Sequence, residues 1–342
     1  MSIYKRRTLA LPAALLMGVL AAVPWGCAPA REKTAESGAK PARTAAAPAF
    51  PKASFQHETA PAGDIVRKIG EEVGGGIVLM QGLEERSMPG FEVDGAAYAA
   101  LVQKLAEPLE SRAEPLPHAW FIAPPDYAGL LDTRLEGRLP ERFAAMTGTV
   151  AFGAKTPLSN VLAVLSQNMG VTLVADNFIT GARCGELFMG PAPLPEILAA
   201  VLMSARVPPD AYAVEGTDEY VFIRSTRNTA PPSLLVNGEN LTPEQRALLD
   251  RVVDVVLPEP GANPVETAFG ARPAPLKSVL TPLTQQFRVV VSAKKVLADV
   301  PVTPCVMRGV RLGTAMDLML RQWPTDRVVW EVVDDQVLIR PR

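Results

Sequence analysis

Residues 149–176 read TVAFGAKTPLSNVLAVLSQNMGVTLVAD, and residues 266–293 read ETAFGARPAPLKSVLTPLTQQFRVVVSA. The AFGA tetrads lie 117 residues apart, and from Pro157 the spacing is 118 without a gap. At that spacing Pro157, Leu158, Val161, Leu162, Leu165, Gln167 and Val171 recur as Pro275, Leu276, Val279, Leu280, Leu283, Gln285 and Val289. Further on, Ala175 meets Ala293, Met189 meets Met307, Leu194 meets Leu312, Leu202 meets Leu320 and Val214 meets Val332. After a two-residue shift, Val221, Ile223 and Arg224 match Val337, Ile339 and Arg340. A match of this length without gaps marks an internal repeat rather than two helices that happen to look alike.

Each copy has a physical reading. Thr149–Phe152 forms a short strand, and Pro157 occupies a first helical turn, where its missing N–H is harmless. Leu158, Val161, Leu162 and Leu165 follow i, i+3, i+4, i+7, one apolar helix face. Gly170 ends that helix. Val171–Ala175 and Glu186–Met189 are strands, and Pro193 opens a second helix with Leu194, Ile197, Leu198, Val201 and Leu202 on its face. Ala211–Val214 and Tyr220–Ile223 alternate and close as a hairpin. The later copy ends on VVWEVVDDQVLIRP, with Asp334 and Asp335 at the turn. A third, looser copy precedes both at a spacing of 96, where Ile65 meets Val161, Ile69 meets Leu165, Gly74 meets Gly170 and Val93 meets Met189. It closes on HAWFIAPP, with His118 at a strand edge. The expected fold is α+β: small β-α-β-β-α-β-β modules at 61–125, 147–226 and 265–342.

Two connectors separate the modules. Residues 126–146 hold one short helix, Pro140–Met146. Residues 227–264 hold a longer one over 243–256, opened by the capping box Thr242-Pro243-Glu244-Gln245. Leu248, Leu249, Val252, Val255 and Val256 give it an apolar stripe, expected to pack on a neighbouring module.

The chain begins with an export signal over 1–26. Lys5, Arg6 and Arg7 precede an uncharged, almost wholly apolar run from Leu9 to Trp25. That run is at the lower limit for spanning a bilayer and is interrupted by Pro12 and Pro24. Gly26-Cys27 is similar to the end of a bacterial lipobox, which makes Cys27 the expected lipidation site. Trp25 and Pro24 depart from that pattern, and cleavage after Ala28-Pro29-Ala30 is the alternative. Each buried methylene of such an anchor contributes about 0.8 kcal/mol. Residues 27–60 are rich in Ala and Pro and read as a disordered tether spanning about 30–35 Å as a coil. His57 falls in it, as a solvated loop residue.

The modules resemble the short N-terminal domain shared by secretins and TonB-dependent receptors, and the related periplasmic N-domains of secretins. The resemblance lies in a PL..VL..L helix, a Val-rich strand, a second helix beginning with Leu, and a closing hairpin. Residues 157–224 and 275–340 carry it best. It implies a protein-interaction module without catalytic residues. No secretin or receptor barrel is read after the last module, so only the interaction role carries over. The expected partner is an envelope protein: a secretin, pilus or receptor component. The expected location is the periplasmic face of the outer membrane. Assistance to a secretin-type secretion or pilus machine is the leading reading, and signalling for a TonB-dependent receptor or sigma-regulator system is the alternative.

Composition limits the chemistry. Hydrophobic residues make up 48% of the 342, enough for sizeable cores, and 33 prolines suggest many joints. Thirty-four basic residues against 36 acidic ones give no nucleic-acid signature. With two His, a His-rich metal site is disfavoured, and no cofactor is expected. Gly74-Gly75-Gly76 lacks the Lys and Ser/Thr of a phosphate loop. Ser292-Ala293-Lys294-Lys295 has Ser-x-x-Lys spacing but no companion motif, so a hydrolase is a remote alternative. Glu71-Glu72, Glu84-Glu85 and Asp334-Asp335 are adjacent acids whose side chains diverge in a regular element. Cys184 and Cys305 are not repeat-equivalent and are read as two buried thiols, the first in a loop and the second in a strand, with a disulfide between them as the alternative.

Overall fold

A computed structural model describes residues 50, 52–135, 137–257 and 272–342. The first module runs β1 (Ala53–His57), β2 (Ala60–Pro61), α1 (Ala62–Val73), β3 (Ile77–Leu79), β4 (Ser87–Met88), β5 (Phe91–Ala96), α2 (Tyr98–Ala106), β6 (Arg112–Pro115) and β7 (Trp120–Ala123). After α3 (Glu141–Ala144), the second runs β8 (Thr147–Phe152), α4 (Leu158–Met169), β9 (Leu173–Ala175), β10 (Leu187–Pro193), α5 (Leu194–Ser204), β11 (Tyr212–Gly216) and β12 (Val221–Ser225). After α6 (Pro243–Leu249), the third runs β13 (Val252–Leu257), β14 (Ala274–Pro275), α7 (Leu276–Phe287), β15 (Val291–Ala293), β16 (Pro301–Val302), β17 (Cys305–Arg311), α8 (Leu312–Arg321), β18 (Val328–Val333) and β19 (Gln336–Pro341). The chain is α+β, and all three copies are built alike. The spacings of 96 and 118 carry α1 onto α4 and α4 onto α7 without a residue of drift.

Each module folds as two strand pairings around its helices. The first strand lies antiparallel to the strand before the second helix: β1 on β5, β8 on β10, β13 on β17. The closing hairpin meets the strand after the first helix in parallel, giving the orders β6-β7-β3, β11-β12-β9 and β18-β19-β15. Parallel pairing is possible because a helix-containing crossover separates the paired strands. Pro61, Pro157 and Pro275 each precede the first helix with extended ψ near 140°, so Pro157 sits at the cap, one residue before the helical turn expected for it. Pro193 likewise caps α5.

The first helix ends in the left-handed region in every module: Gly74 at φ 73°, Gly170 at φ 65° and Arg288 at φ 50°. Only the third copy places a Cβ there. Arg288→Gly is expected to stabilise the chain by about 0.5–1 kcal/mol, since glycine adopts that φ without steric cost. Urea denaturation of the two chains checks it.

Several expectations are corrected. Residues 53–57 are not tether: ASFQH alternates buried and exposed and forms β1. His57 is therefore a buried strand residue, its ring edge-on to Phe91 at 4.3 Å between centroids. The expected helix over 243–256 stops at Leu249, because Val252–Leu257 buries every second residue and pairs with β17. That strand takes the place of Thr147–Phe152 in the third module, and the AFGA copy at 268–271 lies outside the described residues. The connector helix near 140–146 is shorter than expected, and a 3-10 segment, Pro125–Asp132, precedes it. In the hairpin, Val214 pairs with Ile223 and Trp330 with Ile339, so Val214 corresponds to Trp330 rather than Val332. The export signal, Cys27 and most of the tether lie outside the described residues.

The described residues form one compact unit, and the cores continue across module boundaries. Val306 of β17 belongs to the core of the first two modules, while Val174 and Phe222 belong to that of the third. Buried Trp330 anchors the third core, its Nε1 donating to Asp317 Oδ1 at 2.7 Å. The same oxygen accepts from Leu234 N at 2.8 Å and ties the connector to α8.

Burial holds the Asp317 carboxyl above its ordinary range despite those donors. The folded chain therefore binds this proton more tightly than the unfolded chain. The group's contribution to stability falls as pH rises from about 4, its unfolded value, through the folded value. Asp317→Asn keeps an oxygen for both donors, so it should remove that loss and cost under about 1 kcal/mol at neutral pH. Asp317→Leu strands both donors and should cost about 1–3 kcal/mol. Urea melts at pH 4 and pH 7 separate the two outcomes.

Candidate interaction edges

The joints between modules show how this chain makes contacts. At the first joint β10 adds antiparallel to β3, with Leu187 opposite Val78 and Phe188 opposite Ile77. The two pairings thereby merge into one five-stranded sheet, β6-β7-β3-β10-β8. Leu79 N donates to Glu186 O at 2.8 Å, and Gln81 N donates to Ser204 O at 2.9 Å. The backbones approach so closely that a Cβ on Gly185 would lie 2.0 Å from Leu79 O. Gly70 leaves room for the Phe188 ring, which a Cβ there would meet at 2.4 Å. Buried Glu186 accepts from Arg67 Nε at 3.1 Å and from Ala154 N at 2.8 Å.

The second joint repeats the placement with different side chains. β17 lies against α4 and β9. Asn177 N donates to Gln322 O at 2.8 Å, the counterpart of Gln81 and Ser204 at the spacings of 96 and 118. Arg308 N donates to Thr172 Oγ1 at 2.8 Å, and the Arg308 guanidinium bonds Gln167. Asp176 accepts from Ser225 N at 2.7 Å and Asn228 Nδ2 at 2.9 Å, and burial pushes its carboxyl up. Arg321 lies 4.4 Å from the Phe222 ring and pairs with Glu215. Thr314 and Arg311 both bond Glu219.

The array therefore has two unsatisfied ends. β3 and β9 are wholly buried beneath the next module, but their counterpart β15 is half-buried at Ser292 and Ala293. Lys294 N donates to Ile339 O at 2.9 Å, so the alternate amide, Ala293 N, points to the open side. Among the described residues no strand pairs with that side. At the opposite end, β5 is the counterpart of β10 and β17, and β1 is its only described strand partner. Glu92 is exposed where Phe188 and Val306 enter the joints. β18, by contrast, is guarded: Val236 N donates to Trp330 O, and Trp330 N to Leu234 O.

The residues singled out from sequence do not converge. The Ser292 hydroxyl donates to Val337 O of β19 at 3.4 Å, and Lys295 begins a separate 3-10 turn. Gly74 is a helix cap, and Gly76 packs against the backbone of His118 and Ala119. His118 lies between β6 and β7 and bonds Glu196 of α5 at 2.5 Å, a contact across the first joint. Glu85 pairs with Lys155, while buried Glu84 accepts from Gly82 N. Asp334, at φ 55°, makes the last turn. Cys184 and Cys305 are both free and buried, each thiol pushed up to about 12 by burial, which suppresses the reactive thiolate. Among the described residues no cluster of His, Cys, Asp and Glu is placed to hold a metal, and no helix is long and apolar enough to cross a membrane.

Two grooves at the surface are open. One of about 540 Å³ lies between α6, the end of α7 and the last hairpin, lined by Glu244, Leu248, Arg288, Val290 and Asp335. The joints and their free ends were not visible in the sequence, because an apolar position does not declare which neighbour buries it. The one available signal was the replacement of Phe188 and Val306 by Glu92 at the matching position. Comparison of the chain with family models, curated proteins and solved structures finds no match.

Proposed function

We infer that this chain is a non-enzymatic interaction scaffold of the bacterial cell envelope, held to a membrane through Cys27 and a tether. Its three modules present a partner with an open strand edge. The observation that carries this reading is β15, half-buried where β3 and β9 are covered. Strand addition supplies backbone hydrogen bonds for affinity and leaves side-chain pockets for specificity. The expected partner is an envelope protein, with a component of a secretin-type secretion or pilus machine as the specific choice. The repeat pattern that resembles secretin N-domains supports that choice, and the apolar run ahead of Cys27 supports export.

A photo-crosslinking residue at Ser292, in the full-length chain in living cells, tests the reading. Capture of a secretin or pilus component, lost on Ala293→Pro, is the expected result. Capture of a receptor or membrane regulator would favour signalling. No adduct at Ser292, beside efficient adducts from an unrelated exposed position, would remove the strand-edge reading.

A further inference from the structure

The two joints are one joint used twice, and the molecule carries the two halves of a third. We propose that the occupant of β15 is β5 of a second copy of this chain, so that copies join head to tail. This rests on reading β15 as a recognition edge, and in an array of copies it leaves only the last β15 free for the envelope partner. In the second copy β1 and β5 would extend the β18-β19-β15 sheet, as β8 and β10 extend the β6-β7-β3 sheet.

The register follows from the internal joints. Leu187 stands opposite Val78, so Phe91 stands opposite Ser292. Gln81 N reaches Ser204 O and Asn177 N reaches Gln322 O, so Lys295 comes against the turn at Pro108. Glu107 and Glu110 flank that turn and are exposed. Lys294, beside Lys295, is exposed as well. The counterpart of Arg308, which bonds Gln167 at the second joint, is Asp94, and it falls beside Gln285. Glu92 enters where Phe188 packs on Gly70, opposite Thr284.

The chemistry of this third joint differs from that of the inner two. At the inner joints Phe188 and Val306 enter beside ion pairs such as Arg67–Glu186 and Arg321–Glu215, whereas at the free ends Glu92, Asp94, Glu107 and Glu110 lie on one side, with Lys104 on Glu92 O, and Lys294 and Lys295 on the other. Lysines alone would guard an edge strand against any pairing. Here acids occupy the matching positions of the other end, so the ends attract each other and like ends repel. Charge of this kind specifies partner and register, and is screened by salt. The joint is heterologous, so repetition gives open chains of copies rather than closed dimers.

The test uses the full-length chain in a mild detergent, as a mixture of isotope-labelled and unlabelled protein. Sedimentation should show mass rising from monomer to dimer and beyond between micromolar and hundreds of micromolar protein. Association should weaken at least about tenfold as ionic strength rises from about 0.05 to about 0.5 M, where the Debye length falls from roughly 14 to roughly 4 Å. A zero-length carbodiimide should join Lys294 or Lys295 of one copy to Glu107 or Glu110 of another, seen as mixed-isotope peptides. Lys294→Glu with Lys295→Glu should abolish association while circular dichroism stays unchanged. Mixing that chain with one carrying Glu107→Lys and Glu110→Lys should restore association, as chains in which the two variants alternate. A monomer at every concentration, or mixed-isotope links only at other surfaces, overturns the proposal. Either result leaves the strand-edge reading standing if Ser292 still captures an envelope protein in cells.

Discussion

Gly185→Val should loosen the first joint and destabilise the chain by about 3 kcal/mol, near the top of the range for overpacking. The cost is high because the obstacles are backbone atoms. A Cβ at residue 185 would sit 2.0 Å from Leu79 O and 2.7 Å from Gln81 N, and neither can rotate away. Relief requires β10 to move off β3, which breaks the bond from Leu79 N to Glu186 O and lifts Phe188 from Gly70. The third module makes none of these contacts. Chemical denaturation should therefore show a lower midpoint, and hydrogen exchange should show lost protection at Leu79 with β18 and β19 unchanged. A midpoint within about 0.5 kcal/mol of the parent chain, the usual span for a surface change, would mean that the joint is not as close as described.

Trp330→Ala should cost about 3–5 kcal/mol, the usual range for removing a fully buried aromatic side chain. Trp330 is 0% exposed and stands across from Ile339 in the closing hairpin. Its removal also takes one donor from partly buried Asp317, leaving that carboxylate less satisfied. Trp330→Phe separates the two effects: it fills most of the space and loses only the Nε1 donor, for about 1–2 kcal/mol. Thermal and urea melts of both variants give the comparison. Equal losses for Ala and Phe would mean that the hydrogen bond, not the packing, dominates.

The helices were legible in sequence because i, i+3, i+4, i+7 spacing survives in every copy and glycine marks two of three ends. α4 and α7 start at the leucine that follows Pro157 and Pro275. The class of the fold followed from the same pattern. The first strands were harder to read. Ala53–His57 has two apolar positions at the right period, but it sits in Ala- and Pro-rich sequence that resembles tether. Val252–Leu257 carries Val at four of six places, which suits a helix stripe as well as a strand. β-branching argued for the strand, and packing on β17 decided it. The repeat itself misled at one point, because the third module begins its first strand well ahead of the AFGA copy.

The edges were the least legible feature, since openness is a property of the assembled array. Ser292 reads as an ordinary small strand residue, and only comparison with buried Val78 and Val174 shows that a cover is missing. Glu92 likewise gains meaning only beside Phe188 and Val306.

The most direct test of the open edge is residue-resolved hydrogen exchange on the full-length chain at low concentration, comparing the amides of Leu79 and Ala293. Leu79, bonded to Glu186 O beneath the second module, should exchange only through opening of the joint. Ala293, its counterpart at the free end, should exchange orders of magnitude faster and slow on association. Equal, strong protection of both amides in the dilute monomer would mean that the chain covers β15 with its own residues, and would contradict the account.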